Sequence, residues 1–180
     1  MNIVKKLLKS VAVVAVVLFS TGLAEAQQKL GHIDFGEIIS STQEFKTAQE
    51  ELKTLNDSKT KELQDMYAAY QEKQNEANEK LRNRSEANSQ EVDSALQVLG
   101  TEIQDIESRI NEVQRASQEE LSKKEQELFE PIQKKVTEAI NSVASEKGYT
   151  YVFDVSNGSI PYFQGGDDLT ADVKTKLGVQ

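Results

Sequence analysis

Few residues of this 180-residue chain could do covalent chemistry. It has one histidine, His32, and no cysteine, which excludes thiol catalysis, thiolate zinc sites, a disulfide scaffold and a lipid-modified N-terminal cysteine. His32 reads as a strand side chain rather than a catalyst. The many Asp and Glu residues recur at helical spacing beside Lys or Gln, the pattern of solvated surface pairs rather than an acid–base dyad. No D-x-D-x-D-G loop, GxxxxGK[ST] loop or GxGxxG turn occurs, and Gly165-Gly166 leads only into Asp167-Asp168. The expectation is no enzyme, no cofactor and no metal. What remains is contact chemistry. Met66, Tyr67 and Tyr70 offer adaptable apolar surface suited to binding without sequence preference, although Met66 and Tyr70 also fit helix packing. Lys80, Arg82 and Arg84 form a basic cluster that meets only Glu86 within residues 80–90, the pattern of a solvated turn or of a contact with an anionic group.

Long helices must carry these residues. Between Glu37 and Lys147 there is one glycine, Gly100, and one proline, Pro131; helix formers fill the rest. Val92, Leu96, Leu99, Ile103, Ile106, Ile110 and Val113 alternate in steps of four and three, a heptad seam with charges off it. The phase loosens through Ser117, Leu121 and Leu128 and resumes at Ile132, Val136, Ile140 and Val143, which predicts a local change of supercoil. Residues 43–87 carry thinner stripes: Phe45, Ala48, Leu52 and Leu55, then Leu63, Met66, Tyr67 and Tyr70, then Ala77 and Leu81. Such a helix cannot stand alone and is expected to fold back on the second. The seam runs through Gly100 in phase, so the bend belongs elsewhere. Residues 83–89 lack an apolar anchor, and Asn88 with Glu91 resembles a capping box that starts a helix near Gln90. The arm is therefore 43–147 with its tip at 83–89. Its helices of about 45 and 55–60 residues reach about 65–70 Å at 1.5 Å per residue.

Both ends of the chain complete the picture. Residues 1–26 have Lys5, Lys6 and Lys9, then the apolar run Val11–Phe19, then Ala24-Glu25-Ala26, the three parts of a cleaved export signal. Nine apolar residues are too few for a membrane span of about 20. Cleavage near Ala26/Gln27 removes three Lys and one Glu, leaving 18 basic against 29 acidic side chains and a net charge of −11 in place of −9. That balance argues against nucleic acid as a partner. Lys29–Phe35 reads as a strand, and Tyr149–Val155 as a stronger one. Asn157-Gly158 then predicts a hairpin turn into a return strand at Ile160–Phe163, demoted to an edge by Pro161. Asp167-Asp168 would cap a last helix over Leu169–Leu177, stopped by Gly178. Residues 27–42 and 148–180 supply only 49 positions for this body. Leu30, Ile33, Tyr151, Phe153 and Val155 are its candidate core and oligomer contacts. The whole chain is 37% hydrophobic, against roughly 45–50% for an ordinary domain. So small a body without disulfides or metal usually needs oligomerisation. The fold class is α+β, a long antiparallel helical hairpin on a small β-body.

The mature chain resembles the Skp/OmpH family of periplasmic chaperones. The likeness is carried by Lys29-Leu30-Gly31-His32-Ile33-Asp34, the proline-poor Gln/Glu/Lys-rich hairpin, Tyr151-Val152-Phe153-Asp154, and the more specific Asp168-Leu169-Thr170-Ala171-Asp172-Val173. The resemblance implies a homotrimer whose β-bodies close into a barrel and whose arms enclose a cavity. Unfolded outer-membrane proteins would be held there without ATP in the periplasm, with Met66, Tyr67 and Tyr70 as candidate client contacts. It departs from the family in charge: members that engage anionic membranes are basic, whereas this chain is acidic, which leaves membrane contact at the basic tip open. A structural or adhesive coiled-coil spacer and an envelope assembly adaptor are the alternatives.

Overall fold

The computed structural model describes residues 28–179; the export signal expected at residues 1–26 lies outside them. Strand β1 is Leu30–Ile33 and helix α1 Phe35–Ser41. Helix α2 runs over Gln43–Arg82, a 3-10 turn over Glu86–Asn88, and helix α3 over Ser89–Lys147. Strands β2 (Tyr151–Asp154) and β3 (Asp167–Asp168) and helix α4 (Thr170–Leu177) follow.

The arm is the antiparallel pair α2–α3. Along α2 the half-buried or buried positions are 45, 48, 52, 55, 59, 63, 66, 70, 73, 77 and 80, an almost unbroken heptad alternation. Three are lysines, which the apolar stripe expected from sequence did not include. Their alkyl stems fill the seam while their ammonium groups reach its edge. Leu81, expected on the stripe, lies outside it and is exposed, because Lys80 takes the position. On α3 the heptad of Val92–Val113 continues through Ser117, Leu121, Lys124, Leu128, Ile132, Val136, Ala139 and Val143. Steps of four dominate that stretch. Its mean spacing exceeds the 3.6 residues of a straight helix, so the left-handed coil is not continued toward the base. Ser117, Lys124 and Ala139 interrupt its large apolar residues, and the Oγ of Ser117 is buried without a hydrogen-bond partner.

The tip is closed differently from the capping box expected. Asn88 looks back rather than forward: its Oδ1 accepts from the Ser85 backbone N–H (2.6 Å) and hydroxyl (3.0 Å). Its Nδ2 donates to the Asn83 carbonyl at 3.0 Å. These bonds satisfy the polar groups of a turn that has no apolar anchor, and α3 starts directly after it.

At the other end the chain builds a three-stranded sheet in the order β2-β1-β3, with both pairings parallel. The expected Ile160–Phe163 return strand and its Asn-Gly hairpin do not form. Asn157 instead accepts from the Ser159 N–H at 2.9 Å, and Pro161 has no N–H for a ladder. The chain crosses one face of the sheet as a strap and reaches the far edge of β1. Gly166, at φ +89°, permits that arrival: a Cβ there would lie 3.0 Å from the Leu30 carbonyl oxygen. The first strand is also shorter than the Lys29–Phe35 expected, because Asp34 caps α1 through its Oδ1, 2.7 Å from the Glu37 N–H. The last helix begins at Thr170, whose N–H donates to Asp168 Oδ1 at 2.9 Å.

The core lies between the other sheet face and the helices. Ile33, Ile38, Ile39, Ala48, Ile132, Val136, Ala139, Val143, Leu169 and Val173 form one buried cluster, so the base of the arm belongs to the body's core. Gly31 faces it where a Cβ would come within 2.9 Å of Leu169. Ile38 is fully buried, and Ile38→Ala is expected to cost about 2–5 kcal/mol through lost contacts and a residual cavity. Val98→Ala, on the exposed arm, should stay within about 0.5 kcal/mol. Urea titration followed by circular dichroism checks both; equal midpoints for the two variants would contradict this core assignment.

Candidate functional site

The uncovered sheet face is the first candidate surface. Leu30 and His32 alternate away from the core on β1, as Tyr151 and Phe153 do on β2. Leu30, Tyr151 and Phe153 keep 42%, 52% and 44% of their surface exposed. Among the described residues only the strap shields this face: the Phe163 ring lies 5.0 Å from that of His32, and Phe163 remains 47% and Tyr162 73% exposed. Strap and strands enclose an apolar depression of about 450 Å³ lined by Leu30, His32, Phe153, Val155, Ile160 and Phe163 among others. The Nδ1 of His32 is buried beneath it without a hydrogen-bond partner. Parallel sheets are normally covered on both faces, so an apolar parallel face left this open is a candidate contact surface. Of the candidate body residues, Ile33 sits in the core, Val155 is half-buried and bonds its N–H to the Ile33 carbonyl at 3.0 Å, and the other three stand on the open face. Ile160, Tyr162 and Phe163 were missed as part of this face, since a β-rich run after Asn-Gly reads as a strand.

The arm is the second. Met66 and Tyr70 lie half-buried in the seam, whereas Tyr67 is exposed and its hydroxyl accepts from Gln114 Nε2 of α3 at 2.8 Å. The three do not form one patch: only Tyr67 presents its ring outward. In the proposed seam of α3, Leu99 and Ile110 are buried and Val92, Leu96, Ile103, Ile106 and Val113 half-buried. Ion pairs bind the two helices from base to tip. Glu44 meets Lys135, Lys124 meets Glu51 at 3.3 Å, Lys59 meets Glu120 at 2.7 Å and Lys73 meets Glu102 at 2.7 Å. The basic tip is partly spent in the same way. Arg84 makes a bidentate pair with Asp93, both bonds 2.7 Å, while Lys80 and Arg82 have no carboxylate within 4 Å among the described residues.

Among the described residues no group of three His, Asp or Glu side chains could hold a metal ion, and no helix is long and apolar enough to cross a membrane. The arrangement is that of a contact protein: a small α+β body with an open apolar sheet face, and a long hairpin projecting from it. Residues 29–177 match the family described as outer membrane protein (OmpH-like), and the chain belongs to that family. It is a family of periplasmic chaperones rather than enzymes. No curated protein matches the chain.

Several carboxylates carry a pH signature. Lys135 holds Glu44 below the ordinary carboxylate range by a hydrogen bond, and Arg84 does the same for Asp93. Lys176 and Ser142 lower Glu146, which ties α4 to α3, and hydrogen bonds from Thr170 lower Asp168. A carboxyl lowered in the folded state contributes stability above its unfolded pKa of about 4, and that contribution is lost as pH falls through the folded value. The melting temperature is therefore expected to be flat from neutral pH to about 5 and to fall below about 4. Melts followed by circular dichroism check it; an unchanged midpoint at pH 3 would remove these pairs from the account.

Proposed function

We propose that the protein is an ATP-independent holdase of the periplasm. It acts after cleavage of residues 1–26, as a homotrimer whose open sheet faces meet in a closed barrel. The arms then stand around a common cavity in which an unfolded outer-membrane protein is held by many weak contacts. The observation that carries this reading is the apolar sheet face of Leu30, Tyr151, Phe153 and Phe163, left open on a body far too small to tolerate it in water. Three copies closing edge to edge would cover that face and also pair the outer edges of β2 and β3. Family membership supplies the class of client, and the thinly packed arms supply adaptable walls. The absence of a nucleotide-binding motif in the sequence agrees with binding driven by contact and multivalency alone.

Two measurements test it. Light scattering after dilution of a urea-unfolded outer-membrane barrel should show aggregation suppressed at a molar excess of the mature protein; undiminished scattering would sink the holdase reading. Size-exclusion chromatography with multi-angle light scattering should give a trimer. Phe153→Glu, which puts a carboxylate into the covered face, should give monomers that keep most of their helix signal. A dimer would favour the spacer, and a wild-type monomer would defeat the cavity.

A further inference from the structure

One side of the arm's base holds a groove that the body leaves uncovered. Its floor begins at Ile39, continues through the tilted rings of Phe45 and Phe129, 5.2 Å apart, and ends at Leu52 and Leu121. Two depressions, of about 680 and 620 Å³, meet there, with Phe129 and Glu125 common to both. From Phe45 to Asn56 the groove is about 17 Å long at 1.5 Å per residue, room for three turns of helix or about five extended residues.

Several carboxylates of the hairpin are neutralised across it, and those on the rim of the groove are not. Glu44, Glu51, Glu120 and Glu102 each meet a cation on the facing helix, and Asp93 meets Arg84 of the tip turn. Glu125 and Glu130, which border the groove, have no Lys or Arg nitrogen within 4 Å among the described residues. The one cation on the rim, Lys53, is engaged by Asp57 at 2.6 Å. An aromatic floor between two unpaired carboxylates is complementary to an apolar segment that carries its own positive charge.

We propose that this groove binds segments of unfolded polypeptide in which apolar residues are flanked by Lys or Arg. The inference rests on the holdase reading and names the chemistry of the client segment it prefers. The apolar side chains cover Phe45 and Phe129, the flanking cations meet Glu125 and Glu130, and an arginine also gains from the aromatic faces. The net charge of −11 on the mature chain draws cationic segments toward it and repels acidic ones. The same argument disfavours a two-fold-related copy as occupant, because its matching face would bring the same two carboxylates into the contact.

The test uses the full mature protein and two labelled peptides of about twelve residues, one of Leu, Phe and Lys, the other with Glu in place of each Lys. Fluorescence anisotropy should show the Lys peptide bound at least about fivefold tighter at low salt, a preference that fades at high salt. Glu125→Gln with Glu130→Gln should remove the preference, and Glu138→Gln, on the opposite side of α3, should leave it. Phe129→Ala should weaken both peptides. The Glu variants carry the test if Phe129→Ala fails to fold. A photo-crosslinker at Ser122 should label the Lys peptide. Equal affinities, an intact preference in the double Gln variant, or crosslinks only between copies would overturn the proposal. Barrel aggregation suppressed equally by wild type and the double Gln variant, with no peptide preference, would overturn the groove alone. Peptide binding as expected, with no suppression of barrel aggregation, would overturn the holdase reading and leave the groove.

Discussion

One stripe of α3, formed by Ile132, Val136, Ala139 and Val143, packs against the sheet's inner face, α1 and α4, and every other feature hangs from that contact. It buries one face of the sheet. It also ties a rigid 59-residue helix into the core, so that the arm leaves the body in a fixed direction instead of swinging from a linker. The cost is visible opposite. Among the described residues the helices lie on one side, and the strap of residues 155–166 is the only cover for the outer face, leaving aromatic rings in water.

The arm obeys a different economy. Its seam places lysines and a serine where a stiff coiled coil would place leucines, and its helices are joined largely by charged pairs at the edge. Such pairs in water are worth about 0–1 kcal/mol each. They define the register of α2 against α3 without welding it. Base and distal arm therefore differ in kind: the base is core, and the remainder is a lightly held pair of helices whose separation can adjust at little cost.

The hairpin was legible in the sequence because its signals are local and repeated: the heptad of Val92–Val113, the scarcity of Gly and Pro, and an apolar gap at 83–89. The strand at Tyr151 and the Gly178 stop were legible for the same reason. The sheet was not. Asn157-Gly158 signals a local turn, whereas the partner of β2 is β1, more than a hundred residues away, and no local pattern encodes that choice. Helix α1 spans seven residues, too few for a period to show; its one trace was Asp34 followed by Glu37. The stripe expected from sequence omits Lys59 and Lys73, and the expected basic tip takes in Lys80, because residue type hides a stem that packs. Of the candidate contacts, Met66 and Tyr70 fell in the seam because they continue its four–three alternation, and Tyr67 fell outside because it breaks it.

The separation between the sheet's halves has a bearing on how the protein comes to exist at all. The Phe35 N–H meets the Asp154 carboxylate across 119 positions, a distance over which a random chain would seldom close. The hairpin removes the difficulty. Neighbouring turns of α2 and α3 can zip from the tip in microseconds, and each rung shortens the effective loop until the two ends arrive side by side. A chain that emerges N-terminus first must keep β1 waiting until the last helix has followed. The arm is thus also the spool on which the two ends of the body are brought together.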